Sequence, residues 1–167
     1  MDFRILGRLQ ALDGDRDVTP PRAKARALLA FLLLHANERL TTDRLIEALW
    51  GDEPPNTADK ALHGHISGLR KLLGARRIET QHGGYRLEVR PAELDVERFQ
   101  SAITAARNAS DPLERARLLF DALGIWRGEP LADLAEAGFV GPEVARLQAL
   151  RLVALEEIGR ASCRERV

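Results

Sequence analysis

Residues 56–87 read NTADKALHGHISGLRKLLGARRIETQHGGYRL, and the fold turns on how this stretch is read. Leu62, Ile66, Leu69 and Leu73 recur at spacings of three and four, which predicts one amphipathic helix over 56–73 with those four residues on its buried side. Lys60, His63, Ser67, Arg70 and Lys71 fall on the other side. Gly74 follows the last apolar residue and can take the left-handed conformation that ends a helix, while Asn56 or Thr57 can cap its start. Ile78, Thr80, Tyr85, Leu87 and Val89 then alternate with polar residues around Gly83 and Gly84, the pattern of two half-buried strands joined by a tight turn. A helix followed at once by a short basic hairpin has the shape of a nucleic-acid groove reader.

On the N-terminal side, 3–6 and 9–12 read as two short strands, with Asp13, Gly14 and Asp15 as a turn before a third around Val18. Thr19, Pro20 and Pro21 predict a cap and first turn for a helix over 22–36 bearing Leu28, Leu29, Leu32 and Leu33. Thr41 or Thr42 caps a second helix over 43–50, with Leu45, Ile46, Leu49 and Trp50 apolar and Gly51 as its stop. Asp52, Glu53, Pro54 and Pro55 cannot continue it. The order is strands, helix, helix, loop, helix, hairpin: an α+β winged helix-turn-helix.

Beyond Leu94 the pattern is entirely helical, so the fold class is mixed. Asp95 is the expected cap of a helix bearing Phe99, Ala102, Ile103 and Ala106. Ser110 or Asp111 with Pro112 opens another, carrying Leu113, Ala116, Leu119, Phe120 and Leu123. Trp126, Gly128 and Pro130 precede a short turn over 131–135, and Pro142 opens a last helix to residue 157. These are helical hairpins of tetratricopeptide-like size, without a clean repeat period. The expected division is a winged unit at 1–94, a helical region at 95–158 and a non-native tail at 159–167, where the apolar pattern breaks.

The chain has 167 residues and no formal net charge, but the charge is unevenly spread. Positions 58–90 hold seven basic against three acidic residues, and positions 95–167 hold ten against twelve. One cysteine, Cys163, excludes an internal disulfide and a cysteine-based metal cluster. Residues 1–12 lack a signal-peptide layout, and the apolar run at 27–34 is too short to span a bilayer, so a cytoplasmic location is expected.

Four segments carry a family resemblance. RLTTDRLIEALWGDEPPNTADKALHGHISGLRKLLGARRIETQHGGYRL at 39–87 resembles the OmpR-type DNA-binding domain of the Streptomyces antibiotic regulatory protein family of transcriptional activators. LDVERFQSAI at 94–103, ALGIWRGEPLADL at 122–134 and EVARLQALRLVALEE at 143–157 resemble the bacterial transcriptional activation domain that follows it in that family. The family's activation domain is longer, so this chain is expected to be truncated at its C-terminal side, with Leu147, Leu150 and Ala154 of the last helix left as an exposed stripe.

The resemblance implies that His63, Gly64 and Gly68 face bases, while Lys60, His65, Ser67 and Arg70 approach the phosphate backbone, with Lys71 on the same face. Many relatives have arginine at the position of Gly68, and arginine is the commonest reader of guanine. In the hairpin, Thr80 and Tyr85 support backbone contact and His82 approaches the minor groove. The loop carrying Asp52 and Glu53 matches the position that contacts RNA polymerase in such activators. Without the resemblance, a charged helix face is simply solvated and that loop is simply a turn. His63 and His65 are two apart and lie on different helix faces, so they do not chelate one metal as an i, i+4 pair would.

The expected function is a duplex-DNA-binding activator, of a secondary-metabolite or other pathway gene cluster. Its implied partners are promoter DNA in direct repeats, RNA polymerase, and a second copy through the helical region. No cofactor, metal, membrane or catalytic residue is expected: there is no G-x-S-x-G elbow and no nucleotide-binding glycine pattern. An adaptor that uses the same fold only for protein contacts is the alternative, and a hydrolase with an unrecognised site is a distant third.

Overall fold

The computed structural model of the chain describes residues 1–164, with side chains to Arg160. Three short antiparallel strands come first, β1 (Asp2–Arg4), β2 (Gln10–Asp13) and β3 (Arg16–Asp17), in the order β1-β2-β3. Phe3 pairs with Ala11, and Leu12 with Asp17. β1 ends earlier than the apolar pattern suggests because Ile5 and Leu6 turn their backbone groups elsewhere. Their carbonyls accept from Leu131 N at 3.1 Å and Arg127 N at 2.8 Å. Thr19 caps no helix: its hydroxyl accepts from Ala11 N at 2.9 Å and ties the chain back to β2.

The winged unit follows as α1 (Ala23–Leu34), β4 (Leu40–Thr41), α2 (Thr42–Trp50), α3 (Ala58–Leu73), β5 (Ile78–Gln81) and β6 (Gly84–Leu87). All seven residues from Ala27 to Leu33 are buried, more than one face of α1. α2, α3, β6 and the 3-10 turn Ala132–Leu134 surround this helix. Of the two candidate caps of α2, Thr41 serves, accepting from Arg44 N at 3.3 Å. The hairpin gains a third strand that the alternation does not reveal. β4 pairs with β6, giving the order β4-β6-β5, because Leu40 and Thr41 lie opposite Tyr85 and Gly84. Two residues are too few to show a period.

The helical region consists of α4 (Asp95–Asn108), α5 (Pro112–Leu123) and α6 (Val140–Arg164), with α5 packed on both neighbours. Asp111 caps α5, accepting from Leu113 N at 3.2 Å and Glu114 N at 3.3 Å, with Pro112 in the first turn. Leu147 and Ala154 are fully buried and Leu150 is partly buried, which overturns the expected exposed stripe. They pack within the same core as α4 and α5. Among the described residues the exposed large apolar side chains are instead Leu152, Val153 and Leu155 on α6 with Leu113 and Phe120 on α5. α6 begins two residues before Pro142 and runs on to Arg164, past the break in apolar pattern at residue 159; residues 165–167 lie outside the described residues. No described helix is long and apolar enough to cross a membrane.

Asp95 corrects the expectation of a helix cap. It is the first residue of α4, the N-cap position belongs to Leu94, and its carboxylate accepts from Ile5 N at 2.9 Å and Leu6 N at 2.9 Å. The two parts of the chain share one hydrophobic core, running from Phe3 and Leu6 through Phe99 and Trp126 to Leu147. Polar ties reinforce this joint: Phe3 N donates to Glu93 O at 2.7 Å, Leu9 N to Asp133 Oδ1 at 2.9 Å, and Arg98 pairs with Asp2 at 2.9 Å.

Two carboxylates at the joint respond to pH in opposite directions. Burial holds the Asp95 carboxyl above its ordinary value against the pull of the Ile5 and Leu6 amides. Its native pKa lies above the unfolded one, so its contribution to stability is greatest below that unfolded value and declines as pH rises through the folded one. Burial also acts to raise Glu93, but the bidentate Arg77 guanidinium, at 2.6 and 2.7 Å, and the Arg90 amide bring it down to about 2. That stability is present above the ordinary value of 4.5 and lost as pH falls toward about 2. Glu93→Gln is expected to remove about 2 kcal/mol of stability at neutral pH and to flatten the acid limb of a pH series of urea melts.

Candidate nucleic-acid interface

Leu62, Ile66, Leu69 and Leu73 are buried on one face of α3, as the periodicity predicts, and Ala58 in its first turn is buried with them. Thr57 occupies the N-cap position without a side-chain bond, and Gly74, at φ 103°, ends the helix with its N–H on Arg70 O. The opposite face presents Lys60, His63, Gly64, Ser67, Gly68 and Lys71 to solvent, and His65 and Arg70 are half-buried at its margins. A Cβ added at Gly64 or Gly68 meets nothing within 4 Å, so the outward surface is flat and open there. Lys60 and Lys71 make no hydrogen bond or ion pair among the described residues, leaving their charge for a partner. His65 sits apart from His63: burial, then the nearby charges of Arg22 and Lys24, push its imidazole below the ordinary 6.5. At neutral pH it offers a hydrogen bond rather than a charge.

The wing lies against this helix. Arg70 Nε and Nη2 donate to Ile78 O at 2.9 and 2.7 Å, and Nη2 donates to Thr80 Oγ1 at 2.8 Å. The guanidinium carbon is 5.9 Å from the centroid of the Tyr85 ring, and that ring is edge-on to His63 at 6.2 Å. Tyr85 is buried and Thr80 exposed, on paired positions of β5 and β6. His82 is exposed at the tip. The turn beneath it is anchored, since Thr42 N and Oγ1 donate to Gly83 O and Arg39 donates to His82 O. Sequence reading missed Arg39 and Thr42 because their partners lie about forty residues away.

Asp52 and Glu53 are exposed in the loop between α2 and α3, beside the partly buried Trp50, whose ring faces the Lys24 ammonium at 5.6 Å. A cleft of about 1090 Å³ opens next to this loop, between the end of α2 and residues 132–139 of the helical region. Among the described residues no group of His, Cys, Asp or Glu is placed to hold a metal ion.

Residues 17–87 match the family model of the C-terminal domain of transcriptional regulatory proteins, and residues 94–165 match that of the bacterial transcriptional activator domain. The chain thus carries an OmpR-type regulatory domain followed by a bacterial transcriptional activator domain, and the relatives it matches are regulators of the Streptomyces antibiotic regulatory protein family. It is 34% identical over 170 residues to the regulatory protein DnrI of Streptomyces peucetius, covering 93% of this chain and 62% of that one. It is 38% identical over 151 residues to the transcriptional regulatory protein EmbR of Mycobacterium tuberculosis, covering 85% of this chain and 39% of the relative. The solved structure of Mycobacterium tuberculosis EmbR in complex with a low-affinity phosphopeptide superimposes with a TM-score of 0.92 at 33% identity, over 97% of this chain and 45% of that one. The chain thus spans only part of the length of the relatives it matches. Its first sixteen residues, which form β1, all of β2 and half of β3, precede the first family match and place Phe3, Ile5, Leu6, Leu9 and Ala11 in the core shared by both domains.

Proposed function

We propose that this chain binds promoter duplex DNA and activates transcription of a secondary-metabolite or other pathway gene cluster. α3 enters the major groove and the β5-β6 wing approaches the adjacent minor groove. The observation that carries this reading is the open outward face of α3, with uncommitted cations at both ends and an anchored wing beside it. A groove of B-DNA admits one helix, whose outward residues meet base edges while flanking cations neutralise phosphates. In this reading His63, Gly64 and Gly68 face bases. Lys60, His65, Ser67, Lys71, Thr80 and the Tyr85 hydroxyl approach phosphates, and His82 approaches the minor groove. Asp52 and Glu53 form a contact for RNA polymerase, and direct repeats in the promoter, with pairing through the helical region, place two copies side by side in the cytoplasm.

Duplex binding measured across a salt series tests the reading. Log affinity is expected to fall linearly with log salt, with a slope of magnitude about 3 or more. Absence of duplex binding at low salt would leave a protein-binding adaptor as the better account. Gly68→Arg has room in the free protein, since nothing stands within 4 Å of an added Cβ. It is expected to shift preference at one operator base by about 1–3 kcal/mol toward guanine in a selection from randomised duplexes. Unchanged preference and affinity would place residue 68 outside the groove.

A further inference from the structure

We propose that Arg70 is a positioning residue, which locks the wing to the recognition helix so that both enter their grooves as one body. This rests on the DNA-binding reading above and changes the role that the family resemblance implies for Arg70, from phosphate contact to internal clamp. β5 is the edge of the β4-β6-β5 sheet, and Ile78 is its first residue. An edge strand leaves carbonyls without a strand partner, and the Arg70 fork supplies one here, with two N–H groups on a single oxygen at 2.9 and 2.7 Å. The same guanidinium holds the exposed Thr80 hydroxyl at 2.8 Å. Its plane lies near Tyr85, which in turn stands edge-on to His63 on the base-facing side of α3. The contacts therefore form a closed circuit, from α3 through Arg70 to β5, across to Tyr85 on β6, and back to α3 at His63.

Physical comparison favours the clamp. Hydrogen bonds from a charged donor are about twice as strong as neutral ones, and three of them are already made in the free protein. Turning the guanidinium out to a phosphate would give up those bonds and leave the Ile78 carbonyl without this partner. Lys60 and Lys71 give up no such bonds, so they are the better counterions for DNA. Lysine at position 70 would keep the charge but not the planar fork that reaches Ile78 O and Thr80 Oγ1 together.

The test uses the full chain with a duplex selected by the wild-type protein from a randomised library, and a random-sequence duplex as reference. Arg70→Lys retains the charge, Arg70→Gln removes it, and Thr80→Val removes one acceptor without touching charge. All three are first checked by thermal melting. In the free protein, amide exchange over residues 78–87 is expected to quicken about tenfold in Arg70→Lys and detectably in Thr80→Val. On the selected duplex, Arg70→Lys is expected to bind about tenfold more weakly with an unchanged salt slope, losing hydroxyl-radical protection under the wing while keeping it under α3. Lys60→Ala should show the opposite signature, a slope lower by about one with unaltered wing exchange. Unaltered wing exchange in Arg70→Lys overturns the clamp, whether or not DNA is bound. So does wild-type affinity of Arg70→Lys together with a slope lower by about one in Arg70→Gln. Failure of the wild-type chain to select or bind any duplex at low salt would instead sink the DNA-binding reading, and the exchange measurement on the free protein would still decide the clamp.

Discussion

Replacing Asp95 by alanine should cost the folded chain about 3 to 5 kcal/mol, seen as a lowered urea midpoint with both the winged and helical parts unfolding together. The Asp95 side chain is almost fully buried, and it is the acceptor for two amides, Ile5 N and Leu6 N, in residues that are themselves 1% and 0% exposed. Alanine leaves both donors in an apolar surround, where each unpaired N–H costs about 1–3 kcal/mol. Asp95→Asn keeps one acceptor oxygen of nearly the same shape and should lose about half as much. An Asp95→Ala chain as stable as the parent would mean that β1 docks on α4 by apolar contact alone. The same geometry bears on the expected winged unit at 1–94. A fragment ending at Leu94 lacks Asp95, and also the residues that cover Phe3 and Leu6.

Gly84→Ala is expected to have a comparable effect for a steric reason. A Cβ at Gly84 would stand 2.0 Å from the Leu40 carbonyl oxygen and 2.8 Å from its carbon, both backbone atoms. No side-chain rotation relieves that overlap, so β4 must separate from β6 or the wing must tilt. The expected cost is about 3 kcal/mol, with loss of exchange protection at Leu40 and Tyr85 and weakened binding to any duplex that the parent binds. Gly83, at φ 68°, is a different case: it has open space around its α-carbon but a backbone conformation that L side chains rarely adopt. Gly83→Ala should therefore be the milder change, at about 1 kcal/mol, measured in the same melts. Equal stability of Gly84→Ala and the parent would show that β4 is not held against the wing.

Much of this protein is legible in its order of residues. Leu62, Ile66, Leu69 and Leu73 of α3 lie buried where their spacing puts them, and α5 starts at Asp111 and Pro112, one of the two starts the sequence offers. So do the stop at Gly51 and the turn at Gly83. Each is a local effect, with cause and consequence within about one helical turn, so the order of residues is enough to state it. The outward face of α3 follows for the same reason, because the residues that are not buried are what remains.

What the local pattern cannot contain is the identity of a distant partner. Thr19 and Asp95 both look like helix caps, yet they serve Ala11 and the Ile5–Leu6 corner, the latter about ninety residues away in the chain. Arg70 reads as a free cation on a polar face, and only the approach of β5 turns it inward to Ile78 and Thr80. Leu147 and Ala154 read as an unpartnered stripe until α6 folds back into the core shared with α4 and α5. By itself, then, the sequence determined the helices, the hairpin and the outward face of α3, since periodicity and capping act over a few residues. Tertiary structure alone decided that the two matched domains are joined through β1 and Asp95, and that the wing is tied to α3. Hydrogen-bond partners and buried contacts depend on which surfaces meet, and that is not a property of any segment read alone.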